Sequence, residues 1–194
     1  MDKVREFVLS DTHFGHSSII EYCQRPFATI EEHDATIIKN INSIVRKHDK
    51  LWFLGDFSLK SNQEYLKDIV NRLECKRLYL ILGNHDNRQG DWHKRYTNIG
   101  FEWVSKYPII FRNFFILSHE PLFLATERRK EGIINGKGLE VSNAPFFHCI
   151  HGHIHQLEYT DKKHYTNVSV EKTDYKPIDL NELCDRIIAE YNEQ

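Results

Sequence analysis

The chain has 194 residues, with 26 Lys and Arg against 28 Asp and Glu and a formal net charge of −2. That length supports one domain with a sizeable core, spanning residues 1–194. The near cancellation of charge excludes the broad positive field of a protein that holds nucleic acid through its phosphates alone, so any phosphate is met locally. The longest apolar runs, such as Leu78 to Leu82, are far shorter than the roughly 20 residues that cross a bilayer. The charged start Met1-Asp2-Lys3 does not resemble a signal peptide, and the expected place is the cytoplasm, with no membrane partner.

Val4 to Leu9 carries the buried-strand run Phe7-Val8-Leu9 and stops at Ser10-Asp11. Asp11 and His13, two apart on an extended backbone, lie on one side and can chelate one ion. His16 follows Gly15 at a helix start, where it can face a substrate. From Thr29 to Lys47 the residues Ile30, Ile37, Ile38, Ile41, Ile44 and Val45 recur at helical spacing, with Thr29 as the cap. Leu51 to Leu54 is apolar throughout, as in a strand covered on both faces, and runs into Gly55-Asp56. Ser61 to Leu73 reads as the crossover helix and Arg77 to Leu82 as the next strand, ending in Gly83-Asn84-His85-Asp86. This alternation predicts a layered α/β architecture.

After Trp92 the short runs Phe101 to Val104, Tyr107 to Phe111 and Phe114 to Leu117 predict a meander or second sheet, whose last strand leads to Ser118-His119-Glu120-Pro121. The polar, glycine-bearing stretch from Ala125 to Asn143 reads as a surface loop. Its basic run Arg128-Arg129-Lys130 offers Arg128 as a phosphate contact. Phe146 to Ile150 is a further strand, ending in His151-Gly152-His153-Ile154-His155. Leu157 to Thr160 and His164 to Val170 suggest a closing hairpin, and Leu180 to Tyr191 a terminal amphipathic helix. The cysteines Cys23, Cys75, Cys149 and Cys184 are widely spaced without a C-x-x-C, which favours reduced thiols. Among the 12 histidines, His33, His48, His93 and His164 sit in polar surroundings and read as surface positions.

Carboxylates, imidazoles and an amide oxygen at five strand ends suit two borderline or hard divalent ions, with manganese first and Fe²⁺, Ni²⁺ and Zn²⁺ also compatible. Thiolates are absent from the set, against a structural zinc cage. Two ions about 4 Å apart need a bridging anion, and Asp56, its two oxygens reaching both, is the natural choice. Such a pair makes hydroxide available from a shared water near neutral pH and neutralises charge growing on a phosphoryl oxygen. Phosphate ester hydrolysis follows as the favoured chemistry. The leaving alkoxide needs a proton from an imidazole near the ions but not bound to them, which singles out His85 beside Asn84, with Asp86 to orient its ring.

Asp11-x-His13, Gly55-Asp56, Gly83-Asn84-His85-Asp86, His119 and Gly152-His153-x-His155, in that order, resemble the five blocks of the calcineurin-like metallophosphoesterases. The resemblance implies a four-layer α-β-β-α sandwich of two mixed sheets flanked by helices, with the metals at the C-terminal ends of strands. Carried over, it puts Asp11, His13, Asp56 and His155 on one ion and Asp56, Asn84, His119 and His153 on the other, with His85 as acid. Ser10 to His16, Ile20 to Phe27, Asn167 to Glu171 and Tyr175-Lys176-Pro177 are also similar to the small single-domain phosphoesterases of bacteria and phages. The expected substrate is a small phosphate ester, a nucleotide first, and a diester before a monoester. The alternatives are a nuclease on DNA or RNA, disfavoured by the charge balance, and a non-catalytic metal-binding scaffold of the same fold.

Overall fold

A computed structural model describes residues 4–60, 62–86, 90–122, 130–134, 137–140 and 148–193. Strand β1 (Glu6–Leu9), the short helix α1 (Ser18–Tyr22), helix α2 (Ile30–Ile44), β2 (Lys50–Leu54), α3 (Gln63–Arg72) and β3 (Arg77–Ile81) follow the predicted alternation. Thr29 caps α2 as expected, its hydroxyl accepting from the Glu32 N–H, and Asn62 caps α3 in the same way. Next come α4 (Trp92–Thr97), β4 (Phe101–Ser105), β5 (Ile109–Phe111), β6 (Phe115–Leu117), β7 (Lys130–Ile134), β8 (Lys137–Glu140), β9 (His148–His151), β10 (Tyr165–Asn167), β11 (Ile178–Asp179) and α5 (Leu180–Asn192).

The expected sandwich of two mixed sheets with flanking helices is present. The first sheet has the order β11-β1-β2-β3-β4 and the second β10-β9-β6-β5. Strands β1 to β4 are mutually parallel and β11 antiparallel; β10, β9 and β6 are parallel and β5 antiparallel. Alternate residues of each central strand enter different cores, which is why Leu51 to Leu54 is apolar without a break. Leu51 and Phe53 pack with Ile37, Ile41, Leu66 and Ile69 under the helices. Trp52 and Leu54 pack with Phe115, Leu117, Ile150 and the α5 residues Leu183 and Ile187. Among the described residues no helix is long and apolar enough to cross a membrane.

Three expectations change. The meander divides: β4 joins the first sheet beside β3, while β5 and β6 form a hairpin in the second. The closing hairpin is absent, because β10 pairs in parallel with β9 and 157–160 is not a strand. Part of the 125–143 stretch pairs as β7 and β8, antiparallel; the sequence Asn135-Gly136 between the two isoleucines Ile133 and Ile134 and Lys137 is the signal for such a hairpin. The 146–147 end of the predicted last strand lies outside the described residues.

His148 at the start of β9 is buried, its Nε2 beside the Thr166 hydroxyl at 2.8 Å, and burial lowers its pKa to about 4. A folded-state value below the unfolded one means a contribution present above about pH 6.5 and lost as pH falls through 4. The advantage of wild type over His148→Gln in urea midpoint is expected to shrink steadily from pH 7 to pH 4. A constant difference across that range would assign the acid sensitivity elsewhere.

Candidate metal centre

Parallel strands end on one edge, so the turns after β1, β2 and β3 sit side by side, as do those after β6 and β9. Main-chain bonds continue the pairing into the turns: Asp11 N–H donates to the Gly55 carbonyl at 3.1 Å, His13 N–H to that of Asp56 at 2.9 Å, and Gly152 N–H to that of His119 at 2.9 Å. The sheets are joined at this edge by Ser10 N–H to the Val168 carbonyl at 3.0 Å and by His153 N–H to Asp11 Oδ2 at 2.9 Å. Residues from five strand ends therefore meet above the sandwich.

Asp11, His13 and His155 offer ligand atoms within 4.8 Å of one another, and so do Asp11, Asp56 and His119. His119 Nε2 lies 3.0 Å from Asn84 Oδ1 and 3.1 Å from His153 Nδ1. His119 Nδ1 lies 2.9 Å from the Leu54 carbonyl; a proton donated there leaves Nε2 as a bare lone pair toward the cluster. Asp56 Oδ2 is 3.4 Å from His13 Nε2 and 3.6 Å from His119 Nε2, so it stands between the two groups. Asp56 Oδ1 is held instead by the His85 N–H at 2.9 Å. One carboxylate oxygen, not two, thus faces both groups, because the His85 amide claims the other.

Asp11 Oδ1 and His13 Nε2 are buried and accept no hydrogen bond. Leaving such atoms unpaired costs about 1–3 kcal/mol each, more for a charged group, and a divalent cation removes that cost. Oxygen and imidazole nitrogen donors without thiolate match the hard to borderline ions expected from the sequence. Burial alone would raise the Asp56 carboxyl, but the adjacent His13 and His119 rings carry it below the usual carboxylate range. The donor set therefore fits divalent metal.

Positive φ marks the same residues: Asp11 at 59°, His13 at 50°, Asp56 at 50°, His153 at 69° and His155 at 51°. The extended Asp11-x-His13 backbone expected from spacing is replaced by left-handed turns, which aim alternate side chains inward at a cost that persists only where the surroundings impose it. Close approach does the rest. A Cβ on Gly83 would lie 2.1 Å from Asp56 Oδ1, and one on Gly152 2.0 Å from Ser10 Oγ and 2.2 Å from Asp11 Oδ2. Gly152→Ala is expected to weaken metal uptake by about tenfold or more, since relieving these contacts moves Asp11 and Ser10 by about 1 Å and overpacking of this kind costs roughly 1–3 kcal/mol. Unchanged stoichiometry and affinity in a metal titration would contradict this.

The remaining predicted residues are placed as follows. His85 directs Nε2 to within 3.8 Å of Asp56 Oδ2, and its ring packs 5.2 Å from that of His13. Asp86 does not serve as the anticipated support for that ring. It is fully buried, and its carboxylate accepts from Gly83 N–H at 2.9 Å, Phe57 N–H at 3.1 Å and the Tyr96 hydroxyl at 2.7 Å, pinning the turns after β2 and β3. Burial first and the Asp56 charge second push its carboxyl upward. His16 lies at the rim, its Nδ1 3.3 Å from His13 Nδ1, and burial lowers its pKa to about 4. Arg128 lies outside the described residues.

Sequence reasoning missed several partners. Ser169 donates to Asp11 Oδ2 at 2.9 Å, and Glu171 Oε1 lies 2.9 Å from His155 Nδ1. Burial opposes protonation of His155, but the Cys23 thiol, Glu171 and Asp11 outweigh it and raise its pKa to about 10. His33, read as a surface residue, is fully buried on α2. The signal was available: His33 and Asp34 fall one turn before Ile37 and Ile38 on the covered face.

Two stacked mixed sheets with carboxylates and imidazoles converging at one edge define a hydrolase scaffold that holds divalent metal. The profile of the calcineurin-like phosphoesterases matches residues 5–190, and the chain belongs to that family. An uncharacterised protein of Methanocaldococcus jannaschii is 33% identical over 176 residues, covering 90% of this chain and 86% of its own. The Gene 66 protein of Mycobacterium phage L5 is 38% identical over 99 residues, 49% of this chain and 46% of the phage protein. A solved structure from Aquifex aeolicus, of a protein of unknown function, superposes with a TM-score of 0.64 at 25% identity, covering 94% of this chain and 99% of that one. The protein is a metal-dependent hydrolase of phosphoric esters.

Proposed function

We propose that the chain, acting as one domain, is a phosphodiesterase for small nucleotide esters. Asp11, His13, Asp56 and His155 would hold one ion and Asp56, Asn84, His119 and His153 the other, manganese before iron, nickel or zinc. The observation that carries this reading is the pair of unpaired buried acceptors, Asp11 Oδ1 and His13 Nε2, beside the Asp56 oxygen that faces both groups. When bound, the ions supply a hydroxide nucleophile at neutral pH and neutralise charge on the phosphoryl oxygens. His85, partly exposed at the edge of the cluster, donates its proton to the leaving oxygen. Asp56 keeps the negative charge that holds the cations, and Asp86 keeps the two turns in register.

A diester carries two substituents on phosphorus, and features on either side of the cluster support that reading. On the Asn84 and His119 side lies a cavity of about 460 Å³ bounded by Leu82, Lys106, Pro108, Glu120 and Leu122. On the His13 side the half-buried His16 and the exposed Tyr22 lie edge to face with centroids 6.3 Å apart, and an exposed aromatic ring offers a base a stacking surface. The test is a metal-supplemented screen of nucleoside monophosphates, cyclic nucleotides, dinucleotides and oligonucleotides, ranked by kcat/KM. Diesters of nucleotide size are expected to lead. Consistent preference for monophosphates removes the diester reading, preference for long oligonucleotides turns it into a nuclease, and no turnover with any metal leaves the scaffold.

A further inference from the structure

We propose that Arg25 is a positioning residue of the metal centre, holding the Asp11-His13 turn directly and the His155 ring through Glu171. The inference rests on the reading of Asp11, His13 and His155 as ligands of one ion.

After α1 the chain turns at Gln24, whose φ is 50°, and sends Arg25 inward, with its side chain 0% exposed. Taking a guanidinium out of water is strongly unfavourable unless its donors are matched. They are matched on several sides. Nη2 donates to the Asp11 carbonyl at 2.7 Å and Nη1 to the Thr12 carbonyl at 3.2 Å. Nε and Nη2 reach Glu171 Oε1 at 2.9 and 2.6 Å, and Nη1 lies 2.6 Å from His33 Nε2.

Each of these bonds bears on the metal site. The Asp11 and Thr12 carbonyls belong to the turn in which Asp11 and His13 are left-handed, a conformation L side chains adopt only under constraint, and a cation against those carbonyls holds it in place. Glu171 Oε1 is the oxygen that faces His155 Nδ1 at 2.9 Å. Fixing the Nδ1 proton there leaves His155 Nε2, 3.9 Å from Asp11 Oδ1, as the ligand atom. Arg25 itself is braced from behind: His33 Nδ1 is 2.7 Å from Asp34 Oδ1, and Asp34 Oδ2 accepts from Gly15 N–H at 3.0 Å and from the Tyr65 hydroxyl. A lysine keeps the charge but not the planar fork that spans both carbonyls and the carboxylate. In the second cluster His119 is anchored on the Leu54 carbonyl and not by Arg25, so loss of Arg25 should act mainly on one ion.

The test uses full-length wild type, Arg25→Lys and Glu171→Gln, stripped of metal and titrated with Mn²⁺ by calorimetry. Amide hydrogen exchange is followed in parallel on the metal-free proteins. Wild type is expected to bind two ions. Both variants should lose about 10- to 100-fold affinity at one site and keep the other, with Glu171→Gln serving if Arg25→Lys fails to fold. Exchange in Arg25→Lys should quicken at residues 11–13 and stay unchanged in β3. Equal weakening of both sites, or no weakening while wild type binds two ions, overturns the role of Arg25 and leaves the metal centre standing. If wild type itself binds no Mn²⁺, the ligand reading fails. Arg25 is then decided by exchange alone: faster exchange confined to the turn supports it, and unchanged exchange overturns it.

Discussion

Asp56→Asn is expected to strip at least one divalent ion from the protein and to lower phosphoester turnover by about 10²- to 10³-fold, the scale of losing one preorganised electrostatic contact. The substitution is nearly isosteric, so the loss is electrostatic. With Asp56 Oδ1 facing the His85 N–H at 2.9 Å and Oδ2 facing the nitrogens of His13 and His119, an amide has no good orientation. An NH₂ group at the Oδ1 position opposes a donor with a donor. At the Oδ2 position it directs hydrogens to the place where cations would sit. Elemental analysis of the purified variant, alongside kcat on a nitrophenyl diester, makes the measurement; two retained ions with wild-type turnover would remove Asp56 from the centre of the site.

His85→Ala should behave in the opposite way on metal. Alanine retains the main-chain N–H that fixes Asp56 Oδ1, so both ions are expected to stay. Turnover of an ester with a poor alkyl leaving group should fall about 10²- to 10⁴-fold, the range for loss of a general acid. An activated aryl leaving group departs without a proton and should be affected far less. Parallel rate measurements on the two esters decide the matter: equal losses would take His85 out of the acid role, and loss of metal would make it a structural residue.

The residues proposed as ligands stood out in the sequence because their signals are local. Each proposed ligand stands two to five residues past the end of an apolar run that reads as a strand, and parallel strands bring their ends to one edge whatever the intervening helices contain. Gly83 and Gly152 precede their ligands in sequence, and the contacts show why a side chain there has no space. The left-handed turns were not legible. Asp11-x-His13 has the spacing of a strand, and hydrogen bonds from distant parts of the chain, to Gly55 and Asp56 in a neighbouring turn and from Arg25, hold it otherwise.

Long-range partners were illegible for a related reason. Arg25 and Glu171 are 146 positions apart, and nothing near either tells of a buried pair. His33 follows two glutamates and precedes an aspartate, a neighbourhood that suggests solvent until the helix face is known. Asp86 adjoins His85 in sequence, yet the backbone turns its carboxylate toward Gly83, Phe57 and Tyr96.

By itself, the amino-acid order determined the alternation of strands and helices, the two-sided burial of β2 and the placing of carboxylates and imidazoles at strand ends, because periodicity and turn chemistry act over a few residues. Tertiary structure alone decided which oxygen of Asp56 faces the histidines, where β4 and β10 pair, and which buried cation braces the Asp11 turn. Those outcomes depend on groups brought together across the sandwich, where the burial of charge and the matching of donors to acceptors are settled by distance in space.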